Sequence, residues 1–263
     1  MALVLALCTV IKYFFAEADS RQLDWLLRPT SHLVAWFSHL HFVSWDTFGY
    51  YNEMQRILIA PACSGLNFFL ILLATGACLV VTSLACSARQ ILWLAGTALA
   101  AYGLTLMVNT MRILLAIFLY QQNLGIGPIS PERLHRIEGV VIYYVCLCAF
   151  VMLLSCLLHK KRENKKMHPL PEADSPVLLF RMPPGLGFRI LLPLGCYLLF
   201  TLILPLLNGA AGKAPRIFAE HSLTVLLISL GFSLGLYCLF RYRYSGPRRL
   251  KNTQQHETKN TYY

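Results

Sequence analysis

Long apolar runs broken by short polar stretches set the pattern of this chain. The first run is Ala2–Ala16, and a mixed segment, Glu17–Arg56, follows it. Further apolar runs are Ala62–Ala85, Ile91–Val108 continuing into Asn109–Tyr120, Ile137–Leu158, Phe188–Leu207 and Ser222–Phe240. A helix of about 20 apolar residues crosses a bilayer core of about 30 Å. The pattern predicts an all-α polytopic transmembrane helix bundle of about six spans, plus an interfacial outer segment. That segment contains Ser31–Trp45, rich in Trp, Phe and His, a composition suited to a helix or loop at the headgroups.

The breaks sharpen these boundaries. Proline suits a first helical turn, because its missing N–H would have no partner there. Pro61 therefore starts the second span, with Cys63 in its first turn. Ser87-Ala88-Arg89-Gln90 turns the chain into the third. The run from Ile91 to Tyr120 exceeds one untilted span, so the reading is a span ending near Asn109 with a kinked or interfacial continuation carrying Arg112. Gln121–Pro128 is a loop, and Ser130-Pro131 opens a helix that leads into the fourth span. Four regions result: a membrane core over 1–158, a basic and Pro-rich linker over 159–187, two further spans over 188–240 around a loop at Asn208–His221, and a basic tail over 241–263 without fixed structure.

Composition supports the membrane reading: 57% of residues are hydrophobic, 13% are charged, and the mean hydropathy is +0.56. An average soluble domain is about 25% charged. The net charge of +11 comes from basic residues beside apolar runs, the positive-inside pattern, so nucleic acid is not a partner. The chain has nine cysteines, with no Cys-x-x-Cys pair and no His/Cys ligand set, so neither a disulfide framework nor a metal or other cofactor is expected. Ala2–Phe15 has neither a basic start nor a small-x-small cleavage site, and reads as a retained signal anchor.

Lys160–Lys166 and Arg241–Lys251 follow the fourth and sixth spans and belong in the cytoplasm. With the N-terminus also inside, Cys63, the Asn109–Arg112 stretch and His135 all fall on the outer side. A thiolate beside a helix N-terminus is favoured by the unpaired N–H groups, so Cys63 can act as a nucleophile; a membrane cysteine is otherwise a small buried hydrophobe. Ser64 and Gly65 are small enough for a substrate backbone to approach. Asn67 lies one turn on and can position a carbonyl or the thiolate. Arg112 can stabilise an oxyanion or clamp an anion, or snorkel to lipid phosphate; Asn109 shares its helix face and can orient it. His135 is a proton carrier or a solvated interfacial side chain, with Glu138 placed to orient it and Gly139 to admit close packing. His32, His39 and His41 compete for its role. The Tyr143-Tyr144 pair reads as core or aromatic belt.

Cys63-Ser64-Gly65, Asn109-Thr-Met-Arg112 and His135-Arg-Ile-Glu-Gly139, in this order at the ends of consecutive spans, resemble the motifs of the exosortase/archaeosortase family of membrane cysteine transpeptidases. The resemblance covers roughly Gly49–Leu158, and Asn67-Phe-Phe after the glycine suggests the K subtype. It implies a nucleophile at Cys63, a transition-state stabiliser at Arg112 and an acid/base at His135. Implied partners are exported proteins with a C-terminal sorting signal (a short motif, one transmembrane helix and a basic tail), membrane lipids, and a polysaccharide or lipid acceptor for the new carboxyl end. The implied location is the bacterial inner membrane, with the active site on the periplasmic side. A non-enzymatic transporter or assembly factor for exported polysaccharide is the alternative; the paired repeats with broken helices common in transporters are not visible in the sequence.

Overall fold

A computed structural model describes residues 2–15, 18–84, 88–122, 131–166 and 186–259. Helix α1 (Ala2–Phe14) and helix α2 (Asp24–Ser38) precede a three-stranded antiparallel sheet of β1 (Val43–Trp45), β2 (Gly49–Asn52) and β3 (Ile57–Ile59), in the order β1-β2-β3. A 3-10 turn at Pro61–Cys63 then leads into α3 (Leu66–Ser83), α4 (Ala88–Gln121) and α5 (Pro131–Lys166). The remaining helices are α6 (Leu186–Leu198), α7 (Leu204–Leu207), α8 (Ala210–Lys213) and α9 (Pro215–Lys259), with a π-helical stretch, Leu199–Ile203, joining α6 to α7.

Among the described residues, five helical segments are long and apolar enough to cross a membrane: Pro61–Ser83, Ala88–Gln121, Arg133–Leu158, Gly187–Leu207 and Pro215–Tyr242. The expected first span is the shorter apolar helix α1, of 13 residues; at 1.5 Å per residue it is about 20 Å long. The protein is thus mostly helical and an integral membrane protein.

Several local expectations change. The outer segment is not helix and loop alone. Helix α2 stops where His39 turns left-handed at φ 57°, and the sheet follows. Gly49 is required there: at φ +130°, a Cβ would lie 2.2 Å from the Ile59 carbonyl oxygen. The continuation after Asn109 is not a separate element, since one helix, α4, runs on for 34 residues. It contains no proline, which is the commonest cause of a helix break. The Asn208–His221 loop holds α8 and the start of α9, and the basic tail continues α9 as helix to Lys259. The linker over 167–185, the loop over 123–130 and Ser130 lie outside the described residues.

Helix α3 is the centre of the bundle. Phe68, Leu70, Ile71 and Leu72 are all buried, and α3 packs on α1, α4, α5 and α6. At Gly76 three helices meet: a Cβ there would fall 2.5 Å from the Thr97 methyl of α4 and 3.1 Å from the Phe150 ring of α5. The outer unit is anchored to α4 by the Tyr102 hydroxyl, which donates to the Trp25 carbonyl at 2.8 Å, and by stacking of the two rings at 5.8 Å. Within that unit the Tyr50 hydroxyl donates to Asp24 at 2.6 Å. Burial, with the Asp24 carboxylate adding to it, pushes the Tyr50 phenol up to about 12, so it remains a donor. Strand β3 thereby delivers Ala60, Pro61 and Cys63 to the top of α3 from a braced position.

Candidate active site

The path into α3 is bent at the cysteine. The Cys63 N–H bonds to the Ala60 carbonyl at 2.8 Å and the Ser64 N–H to the Pro61 carbonyl at 3.0 Å, closing the 3-10 turn. Gly65 then adopts φ +76°, and α3 begins at Leu66. Cys63 therefore sits just before α3 rather than in its first turn, because the left-handed glycine separates the two helical pieces. A Cβ at Gly65 would lie 3.1 Å from the Thr105 methyl and 3.2 Å from the Asn109 side-chain amide carbon. Glycine here lets the turn rest directly on α4.

Asn109 exploits that approach. It is fully buried, and its Nδ2 donates to the Cys63 carbonyl at 2.5 Å. Its Oδ1 accepts the Tyr143 hydroxyl at 2.8 Å. Tyr143 in turn accepts a hydrogen bond from Arg112 Nη1 at 2.7 Å, while Arg112 Nη2 lies 2.9 Å from His135 Nε2. Arginine has no acceptor, so Nε2 accepts and the imidazole is neutral with its proton on Nδ1. That Nδ1 is 3.6 Å from Glu138 Oε2. One polar chain thus runs from the Cys63 backbone through Asn109, Tyr143, Arg112 and His135 towards Glu138.

The cation is held on its other sides by aromatic and small groups. The Arg112 Cζ stands 5.3 Å from the Tyr143 ring centroid, and that ring stacks on Phe68 of α3 at 4.5 Å and 9°. A Cβ at Gly139 would lie 3.1 Å from Arg112 Nε, so this glycine makes room for the guanidinium on the face of α5. The Cys63 thiol is free and half-buried. Arg112 Nε, His135 Nδ1 and both Glu138 carboxylate oxygens are buried without a hydrogen-bond partner. Buried polar atoms are normally satisfied, and these four lie together at the end of the polar chain.

The structure gathers Cys63, Gly65, Asn109, Arg112, His135, Glu138 and Gly139 into this centre. Ser64 is buried beside it, and its Oγ accepts the Leu66 N–H at 3.3 Å. Asn67 is exposed and makes none of these bonds. His32 and His39 are exposed, and the His41 carbonyl accepts from Asn52; His135 alone of these four bonds Arg112. The residue missing from the sequence reading is Tyr143. Its signal was positional: His135, Gly139 and Tyr143 recur every four residues, on one face of a helix.

The sequence pattern of the transmembrane exosortase family (Exosortase_EpsH) matches residues 1–153, more than half of the chain. The chain belongs to that family. No curated protein and no solved structure matches it. The exosortase region covers α1 to the lower part of α5, and so every residue of the polar chain just described. The family is one of membrane transpeptidases that process sorting signals; the match does not separate its subtypes. Residues 154–263, with α6 to α9, lie beyond it.

Proposed function

We propose that this exosortase cleaves the C-terminal sorting signal of exported proteins by covalent catalysis at Cys63 and passes the new carboxyl end to a surface acceptor. The observation that carries the reading is the polar chain that ties the Cys63 backbone, through Asn109 and Tyr143, to Arg112 and His135. Positive residues at the end of α5 and along the end of α9 favour the cytoplasmic side for those ends, and the outer, periplasmic face of the inner membrane for the site.

At rest Arg112 occupies the His135 Nε2 lone pair. Arrival of a substrate carbonyl draws the guanidinium to the oxygen where negative charge develops. Nε2 is then free to take the Cys63 proton, with Glu138 beside Nδ1 to favour the imidazolium. The thiolate attacks the carbonyl carbon, the C–N bond breaks, and the imidazolium returns its proton to the leaving amine. The thioester on Cys63 is released by an acceptor nucleophile whose proton His135 removes. Asn109 fixes the Cys63 backbone throughout, and Tyr143 keeps Arg112 at the correct height.

The test is Cys63→Ala in cells expressing an exported protein that the wild-type chain processes. Full-length substrate is expected to accumulate while the variant remains in the membrane at normal level. Normal processing by a well-expressed variant removes the proposal.

A further inference from the structure

Helix α9 lies beyond the exosortase match, yet it grips the catalytic helix α5 at two heights. The lower contact is Tyr144 of α5 against Phe232 and Ser233. The upper contact is ionic. Arg133 Nη2 donates to Glu220 Oε1 of α9 at 2.9 Å, and Arg136 Nη2 lies 3.9 Å from Glu220 Oε2. Arg216 Nε, one turn before Glu220 on α9, lies 3.5 Å from Oε1. At 1.5 Å per residue, Ser233 is about 20 Å beyond Glu220 and Tyr144 about 17 Å beyond Arg133, so the two helices run side by side in the same direction. One carboxylate thus gathers three guanidinium groups across the upper contact. Glu220 and Arg136 are both 36% exposed, so solvent only partly screens them. A lone surface ion pair contributes little, but several charges sharing one partner can fix a geometry.

The two α5 arginines bracket His135. Arg133, Arg136, Val140 and Tyr144 recur every three or four residues and form the stripe of α5 that meets α6 and α9. His135, Gly139 and Tyr143 form the neighbouring stripe, which meets Arg112 of α4. Helix ends fray, and His135 is only one turn past the start of α5 at Pro131. We propose that Glu220 is a positioning residue for the reaction. Through Arg133 and Arg136 it holds the turn that carries His135, and so the 2.9 Å approach of His135 Nε2 to Arg112 Nη2. The proposal rests on the peptidase reading, and gives α9 a part in turnover without contact with the reacting atoms. Misplacement of a reacting group by about 1 Å can cost about 10²-fold in rate, so loss of the tie is read in kcat rather than in substrate binding.

The test measures kcat and KM of the full chain on an exported protein that the wild-type chain processes. Glu220→Gln keeps the side chain's shape and removes the charge that the three arginines share. Its kcat is expected to fall about fivefold or more, with KM within about twofold and the unfolding midpoint in detergent unchanged. Glu220→Arg places a fourth guanidinium in the cluster and is expected to be slower still. Combining it with Arg133→Glu returns one carboxylate among three guanidinium groups and still bridges the two helices, so most of the wild-type kcat is expected to return. A Glu220→Gln kcat within about twofold of wild type overturns the proposal. So does a fall that comes with a lower unfolding midpoint, or a folded exchange variant no faster than Glu220→Arg. Where the exchange variant does not fold, Glu220→Gln alone decides. These outcomes leave Cys63-dependent processing, and with it the peptidase reading, in place. Processing by Cys63→Ala would remove that reading and the role of Glu220 together.

Discussion

Tyr143 and Tyr144 are neighbours on α5 and belong to two different parts of the molecule. Tyr143 faces α3 and α4, where its hydroxyl links Arg112 to Asn109. Tyr144 is fully buried on the other side, packed edge-on against Tyr197 at 5.0 Å and Phe232 at 6.0 Å, with its hydroxyl 2.5 Å from Ser233 Oγ. The first side is a polar chain between helices of the exosortase region. The second joins that region to α6 and α9, where the Lys12 amine also donates to the Phe200 carbonyl of the π-helical stretch. Around Arg112 the polar atoms are only partly satisfied; around Tyr144 packing and one hydroxyl pair complete the contact. Helices α6–α9 thus brace the back of α5, and among the described residues none of their side chains hydrogen-bonds into the polar chain in front.

Substitutions on the two sides are therefore expected to differ in kind. The largest effect in this set belongs to Arg112→Lys. An ammonium lacks the planar fork that reaches Tyr143 and His135 together, so processing is expected to fall by about 10²–10³, read as the rate of substrate loss at constant enzyme level. Tyr143→Phe keeps the stack on Phe68 but removes both hydroxyl bonds. A tenfold or greater fall in kcat is expected, at about 1.4 kcal/mol per factor of ten, with substrate binding little changed. Tyr144→Phe is expected to cost about 1 kcal/mol of stability, seen as a lower unfolding midpoint in detergent, and to leave processing within about twofold. A Tyr144→Phe enzyme as inactive as Tyr143→Phe would erase the division between the two faces.

Much of this arrangement was legible in the sequence. The apolar runs placed the spans because hydrocarbon admits only residues that need no water, and the Cys63 and His135 motifs fell near span starts, while Asn109 and Arg112 lie within α4. Three features were less accessible. The bend at Gly65 depends on a left-handed backbone that lets Asn109 approach, and a Pro-Ala-Cys-Ser-Gly string reads equally well as a continuous helix start. The sheet over 43–59 is built from short strands joined by turns, beneath the resolution of hydrophobic periodicity. Tyr143 looked like one more aromatic in an apolar run; its place follows from tertiary contact with Asn109 and Arg112, to which only its four-residue spacing from His135 and Gly139 points.

In the mechanism proposed, Cys63 carries the cleaved chain covalently. The most direct measurement is mass spectrometry of Cys63-containing peptides after rapid acid quenching of wild-type protein turning over its substrate. A mass increase at Cys63 equal to the substrate's new C-terminal peptide, removed by hydroxylamine as a thioester requires, is the predicted result. Active turnover with Cys63 unmodified, and undiminished cleavage after its alkylation, would contradict the account.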